Sequence, residues 1–187
     1  HVGRLRTGGV ELLSNVKEVH IVGVQNEVRE LLWRLEKEWA DPPELTAMDL
    51  DHPSHALKFT VAEESATDVS FGMPMKYLYE PNACILKAGG FKTTALRYGL
   101  VKLHPSTHLY TSNSLISFPG RRFEIKENLP YKPGKLPYSK ANVSTRNFPQ
   151  SVAEIRKRNR ISDGGTTYLF FVRCIDESLR VLLTEPV

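Results

Sequence analysis

Near its end the chain carries two apolar runs rich in aromatic and β-branched residues, TTYLFFVRCI (Thr166 to Ile175) and LRVLLTE (Leu179 to Glu185), joined through Asp176, Glu177 and Ser178. Runs this short and this rich in strand-forming residues read as β-strands, and so brief a polar connection predicts that they pair as an antiparallel hairpin. Within each run the side chains divide between a core face and a surface face, as the two-residue period of a strand requires. A chain that must house such a hairpin contains a sheet, which excludes an all-helical fold.

Other segments add both kinds of element. VKEVHIVGVQ (Val16 to Gln25) alternates like a half-buried strand, and NEVRELLWRLEKEW (Asn26 to Trp39) follows it. Its spacing of Val28, Leu31, Leu32, Leu35 and Trp39 predicts a helix with Asn26 as N-cap, ended by Pro42 and Pro43. HALKFTVA supplies a second strand, so the first part of the chain reads as a split βαβ-type arrangement of the ferredoxin-like kind. After the polar EESATDVSFGMP (Glu63 to Pro74), KYLYE is a strand candidate and PNACILKAGGFKTTALRYGL is helical, split or kinked at Gly89 and Gly90 and closed at Gly99. VKLHPSTHLYTS, RRFEIKENL and KANVST read as further strands. Ser151 and Glu154 stand at the spacing of a capping box, opening a helix with Val152, Ile155 and Ile161 buried and closing at Asp163, Gly164 and Gly165. The fold class expected is α+β, a small ferredoxin-like βαβ-type domain over 1–70 followed by a second α/β domain over 71–187 with a mixed or antiparallel sheet.

Charge supports a division into two. Residues 1–75 hold seven Lys and Arg against thirteen Asp and Glu, whereas residues 76–187 hold eighteen against eight. The second part is therefore the one suited to a polyanion. No apolar run approaches the roughly 18 to 20 residues of a membrane span, and the first residues lack the apolar stretch of a secretory signal. Two cysteines, Cys84 and Cys174, suit buried thiols of a reducing compartment, and a cytoplasmic location is the default expectation.

The stretch Lys140 to Gly165, KANVSTRNFPQSVAEIRKRNRISDGG, concentrates the charge. On a helix Arg156 and Arg160 fall together four positions apart, while Lys157 and Arg158 spread around the exposed arc. The charges also complement the helix dipole at its C-terminus, so the run has a purely structural explanation beside a functional one.

Three segments, VKEVHIVGVQNEVRELLWRLE, YLYEPNACILKAGGFKTTALRYGLVKLHPSTHLYTS and KANVSTRNFPQSVAEIRKRNRISDGGTTYLF, together resemble the C-terminal region of a bacterial family of predicted class I S-adenosylmethionine-dependent methyltransferases. In that family the catalytic domain precedes a ferredoxin-like domain and a THUMP-like domain. The residues that carry the resemblance include Tyr79, Glu80, Pro81, Asn82, Lys87, Gly89, His104, Pro105, Tyr110, Arg146, Asn147, Phe148, Pro149, Gly164 and Gly165. It implies that 71–187 is THUMP-like, that the partners are RNA and the upstream methyltransferase domain, and that S-adenosylmethionine belongs to that domain. This chain shows no strand, Gly-rich turn and helix for the cofactor, and the early pair Gly8–Gly9 precedes no such pattern. It is expected to recognise substrate and to be inactive alone. A scaffold that docks or dimerises the methyltransferase is the alternative.

On the RNA reading Lys92, Arg97, Arg146, Arg156, Lys157, Arg158 and Arg160 meet phosphates and the backbone at Gly164 and Gly165 approaches a phosphate or base, with Tyr110, Tyr138 and Phe148 as stacking candidates. No catalytic set emerges. Asp51, His52 and His55, or His104 and His108, are too few and poorly spaced for a metal. Glu80, Pro81 and Asn82 are better explained as a helix cap than as catalytic groups, and Cys84 lacks a base partner.

Overall fold

Val16–Val24 (β1) forms the strand its alternation predicts, but it does not run into a helix. Gln25 and Asn26 both take positive φ, 52° and 59°, in a tight turn that sends Glu27–Leu35 (β2) back antiparallel to β1. The expected helix is thus a strand. Its apolar spacing serves both structures, and pairing with β1 decides between them: Leu31 and Trp33, two residues apart, pack on the core while Leu32 and Leu35 remain more than half exposed.

The computed structural model describes residues 15–134 and 136–187; the pair Gly8–Gly9 lies outside them. Two units are present, and neither is a continuous piece of chain. The first comprises residues up to Val69 together with Pro81–Gly99 and Phe118–Gly120. Its sheet has the order β2-β1-β3-β4, with Glu44–Asp49 (β3) parallel to β1 and Leu57–Thr60 (β4) antiparallel to β3. Among the described residues this unit has the short α-helices Val61–Ala66 (α1), Ala83–Ala88 (α2) and Phe91–Tyr98 (α3). Cys84, Ile85 and Ala88 of α2 join Val19, Ile21, Leu45, Ala47, Leu57 and Phe59 in one core. A boundary at residue 70 separates this sheet from the helix that covers it, so the apolar face of the sheet explains why residues 81–99 return.

Gly89 and Gly90 split the helical segment as their sequence suggests. Gly89 ends α2 in the left-handed region, φ 76°. Gly90 opens α3 against the sheet, where a Cβ would stand 2.6 Å from the Phe59 ring and 2.9 Å from Leu57. Close packing is the compensation for two glycines in a row.

The second unit comprises Ser70–Glu80, Leu100–Ser117 and Arg121–Val187. It contains Tyr77–Pro81 (β5), Val101–His104 (β6), Thr107–Ser112 (β7), Gly120–Pro130 (β8), Asn142–Arg146 (β9), Tyr168–Arg173 (β10) and Leu179–Pro186 (β11). They form a sheet ordered β6-β7-β5-β8-β11-β10-β9, in which β10 and β11 are the expected hairpin and β9 and β10 are parallel. Along β10 the residues alternate between two cores. Leu169 and Phe171 face Ile155 and Ile161, while Phe170 and Val172 face Leu78, Leu103, Leu109 and Phe123. Around that second core the sheet curls: Thr107 on β7 donates to the Arg173 carbonyl on β10 at 2.8 Å, past three intervening strands.

Val152–Asn159 (α4) starts on the predicted capping box, with the Ser151 hydroxyl accepting from Glu154 N and the Glu154 carboxylate accepting from Ser151 N. It ends earlier than expected, because Arg160 itself turns left-handed, φ 56°. His104 and His108 fall on different strands, β6 and β7, so the single extended segment foreseen for them is a hairpin instead.

Candidate nucleic-acid interface

The positive surface of the second unit is assembled around the C-terminal half of α4. Ile155 and Ile161 fix the helix on its core, which turns Lys157 and Arg158 to solvent, and the left-handed turn at Arg160 leaves that side chain exposed as well. Two other segments are tied to the same helix end. Asn159 Oδ1 accepts from Gly134 N at 3.0 Å, which holds the loop containing exposed Lys132. Ser162 N donates to the Ser139 carbonyl and Ala141 N to the Ser162 carbonyl, 2.9 and 3.0 Å, which sets exposed Lys140 beside the 162–165 loop. Gly164 and Gly165 adopt φ 95° and 86°, and the aliphatic stem of Lys140 lies against both, within 3.4 Å of a Cβ placed on Gly164. Asn142 Nδ2 donates to the Gly165 carbonyl at 2.8 Å and steadies the loop.

Lys132, Lys140, Lys157, Arg158 and Arg160 have no ion-pair partner among the described residues. That separates them from the other expected cations. Arg156 is bonded to Asp163, and Arg146 to Glu80. In the first unit Lys92 Nζ donates to the Ser65 carbonyl at 3.1 Å and Arg97 to the Ala56 carbonyl at 3.0 Å. Of the four cations expected to fan round the helix, Lys157 and Arg158 on it and Arg160 just past it are the ones without an ion-pair partner among the described residues. Lys132 and Lys140, both overlooked in the sequence, join them beside the helix end; only proximity to the basic stretch hinted at Lys140.

The stacking candidates are used internally. Tyr110 is fully buried, and Phe148 packs edge-on against Tyr131 and Phe171 with centroids 5.1 and 5.6 Å away. Tyr138 joins the same core.

Other titratable groups have structural assignments. Asn82 caps α2, its Oδ1 accepting from Ile85 N at 2.9 Å, while Glu80 takes no part in that cap. Glu80 is 4% exposed and binds Arg121 and Arg146. Burial, reinforced by the charge of Asp49, pushes the Cys84 thiol up to about 11, and burial raises Cys174 similarly, so neither is a thiolate near neutrality. The His52 and His55 rings lie 6.4 Å apart, and Asp51 accepts from Gln25 N at 2.6 Å. Among the described residues no group of three or more His, Cys, Asp or Glu could hold a metal ion, and no helix is long and apolar enough to cross a membrane.

Among the described residues, the passages from β4 into α1, from β5 into α2 and from β9 into α4 contain no glycine, and the Asn82 side chain caps the start of α2.

Comparison with known proteins places a ferredoxin-like domain at residues 77–119 and a THUMP domain-like module at 120–186. The first match lies within the span expected to be THUMP-like, not within 1–70. A crystal structure described as "putative methyltransferase from Porphyromonas gingivalis W83" superposes with a TM-score of 0.85 at 36% identity, covering 95% of this chain and 47% of that one. The chain thus spans about half the length of that relative. No curated protein matches it.

Proposed function

From a chain that carries a ferredoxin-like and a THUMP-like domain, we infer a substrate-recognition role: it positions RNA for an S-adenosylmethionine-dependent methyltransferase domain elsewhere in the same protein. The observation that carries this reading is the set Lys132, Lys140, Lys157, Arg158 and Arg160, exposed and without ion-pair partners among the described residues. A protein that only needed charge to complement a helix dipole would not require the loops at 132 and 140 to bring two more cations to the same helix end. Five cations on α4, just past it and on two loops hydrogen-bonded to that end of the helix form a track for the sugar–phosphate backbone, with affinity drawn from counterion release. Such contacts orient a strand without reading its sequence. Methyl transfer itself belongs to the cofactor-binding domain. This chain's residues contribute binding and orientation, and Gly164 and Gly165 allow the backbone beside Lys140 to lie close to a phosphate.

Fluorescence anisotropy with structured RNA, single-stranded RNA and duplex DNA at two salt concentrations tests the reading. Preference for RNA, with the logarithm of affinity falling about 3 to 4 units per tenfold rise in salt, is the expected result for five phosphate contacts. Absence of binding at low salt removes the role and leaves docking of the methyltransferase domain as the function.

A further inference from the structure

Glu80 sits on β5, Arg121 near the start of β8 and Arg146 at the end of β9, strands that the curled sheet brings together. One buried carboxylate serves two guanidinium groups. Its Oε2 accepts from Arg121 Nε at 2.6 Å and from Arg121 Nη2, and its Oε1 accepts from Arg146 Nη2. Arg146 Nη1 also donates to the Thr145 carbonyl at 2.9 Å, and the Arg121 guanidinium lies 5.5 and 5.9 Å from the rings of Phe123 and Tyr168. Both arginines are therefore fixed in place. Each guanidinium has five N–H donors. Two of these are spent on each side, so three on each remain without a partner among the described residues.

Charge and exposure point the same way. The cluster holds two cations and one anion, unlike the one-to-one Arg156–Asp163 pair. The anion is the covered member: the Glu80 side chain is 5% exposed, against 45% for Arg121 and 33% for Arg146. Arg146 and Lys102 also act together on His108, adding to the burial that keeps its imidazole neutral, so the local field is cationic. A salt bridge whose only task was to tie strands together would be satisfied by one arginine. Two, both held by the one carboxylate and both partly exposed, leave N–H donors of the kind that bind a tetrahedral oxyanion.

We propose that Arg121 and Arg146, set side by side by the buried Glu80, form a binding site for one phosphate group, distinct from the cationic surface at α4. The phosphate is either an internucleotide group of a bound strand or a terminal or free phosphate, and the site stands independently of the RNA role proposed above. Glu80 is its positioning residue.

The test follows the arginine Nε–H signals of the whole chain by 15N-correlated NMR. Inorganic phosphate is added first, with chloride at matched ionic strength as control. Saturable shifts of Arg121 and Arg146 with phosphate and not with chloride are expected, weakened roughly tenfold or more in Arg121→Ala. Arg121→Lys, which keeps the charge and loses the fork, gives the same readout if Arg121→Ala does not fold. Short RNA with and without a 5′-phosphate then separates the sources: shifts with both indicate an internucleotide phosphate, shifts with the phosphorylated strand alone a terminal one. The Lys157→Ala, Arg158→Ala, Arg160→Ala variant is expected to respond to inorganic phosphate unchanged, so loss of RNA binding at α4 does not count against this site. No saturable shift of either arginine with inorganic phosphate overturns the proposal.

Discussion

The Glu64 carboxylate on α1 accepts the backbone N–H of Thr93 at 2.9 Å and thereby caps a different helix, α3, from 29 residues away. The Thr93 hydroxyl donates to that same oxygen at 2.8 Å, and the other oxygen accepts from Lys92 N at 2.8 Å. Gly90, at the N-cap position of α3, has no side chain to do this, because Phe59 occupies the space a Cβ would need. Glu64 is accordingly buried despite its charge. Removing it leaves two helix-end amides unmatched. Glu64→Ala is expected to lower stability by about 1–3 kcal/mol, seen as a lower urea midpoint with unchanged slope, and Glu64→Gln by less.

Gly23 and Cys84 are coupled through contact. A Cβ on Gly23 would stand 2.5 Å from the Cys84 sulfur and 2.8 Å from the Glu27 carbonyl oxygen. Gly23→Ala is expected to cost about 1–3 kcal/mol through overpacking. Cys84→Ala clears only the sulfur, so in that background the cost of Gly23→Ala shrinks without vanishing, a coupling that a double-mutant cycle in urea measures directly.

His108 makes stability depend on pH. Burial, with the charges of Lys102 and Arg146, lowers its folded pKa to about 4 from 6.5. The unfolded chain then binds the proton more readily than the folded one, so stability is complete above the unfolded pKa and is lost as pH falls toward the folded value. The expected loss between pH 7 and pH 5 is about 2 kcal/mol, removed in His108→Gln, and parallel urea titrations at the two pH values check it.

The N-terminus of α4 has its own acid dependence. Glu154 lies below the usual carboxylate range, chiefly because it accepts the Ser151 backbone N–H and then the Ser151 hydroxyl. A lowered pKa stabilises above the unfolded value of 4.5 and loses that contribution as pH drops below it. The difference in melting temperature between the parent chain and Glu154→Gln is therefore expected to narrow as pH falls from 6 to below 4.

For the surface at α4, replacing Lys157, Arg158 and Arg160 together by alanine is expected to weaken RNA binding across all sequences. It is also expected to reduce the salt slope by about 2, measured by anisotropy titrations. Arg156→Ala is a poorer probe, since it also breaks the bond to Asp163.

Local chemistry was legible in the sequence wherever neighbours in the chain decide the outcome. The capping box at Ser151 and Glu154, the helix break at Gly89 and Gly90, the left-handed end at Gly99 and the β10–β11 hairpin each depend on a few adjacent residues. Over Glu27–Leu35 the apolar spacing is compatible with either helix or strand, and the positive φ of Gln25 and Asn26 selects the strand only because β1 is there to pair with it. The two interleaved units, the placing of Lys132 and Lys140 beside α4, and the meeting of Glu80 with Arg146 across 66 residues came from the tertiary structure alone. Pattern and propensity act over one turn or one strand, whereas which cations stay exposed and which are drawn into carboxylates depends on how separate strands register and curl around a shared core.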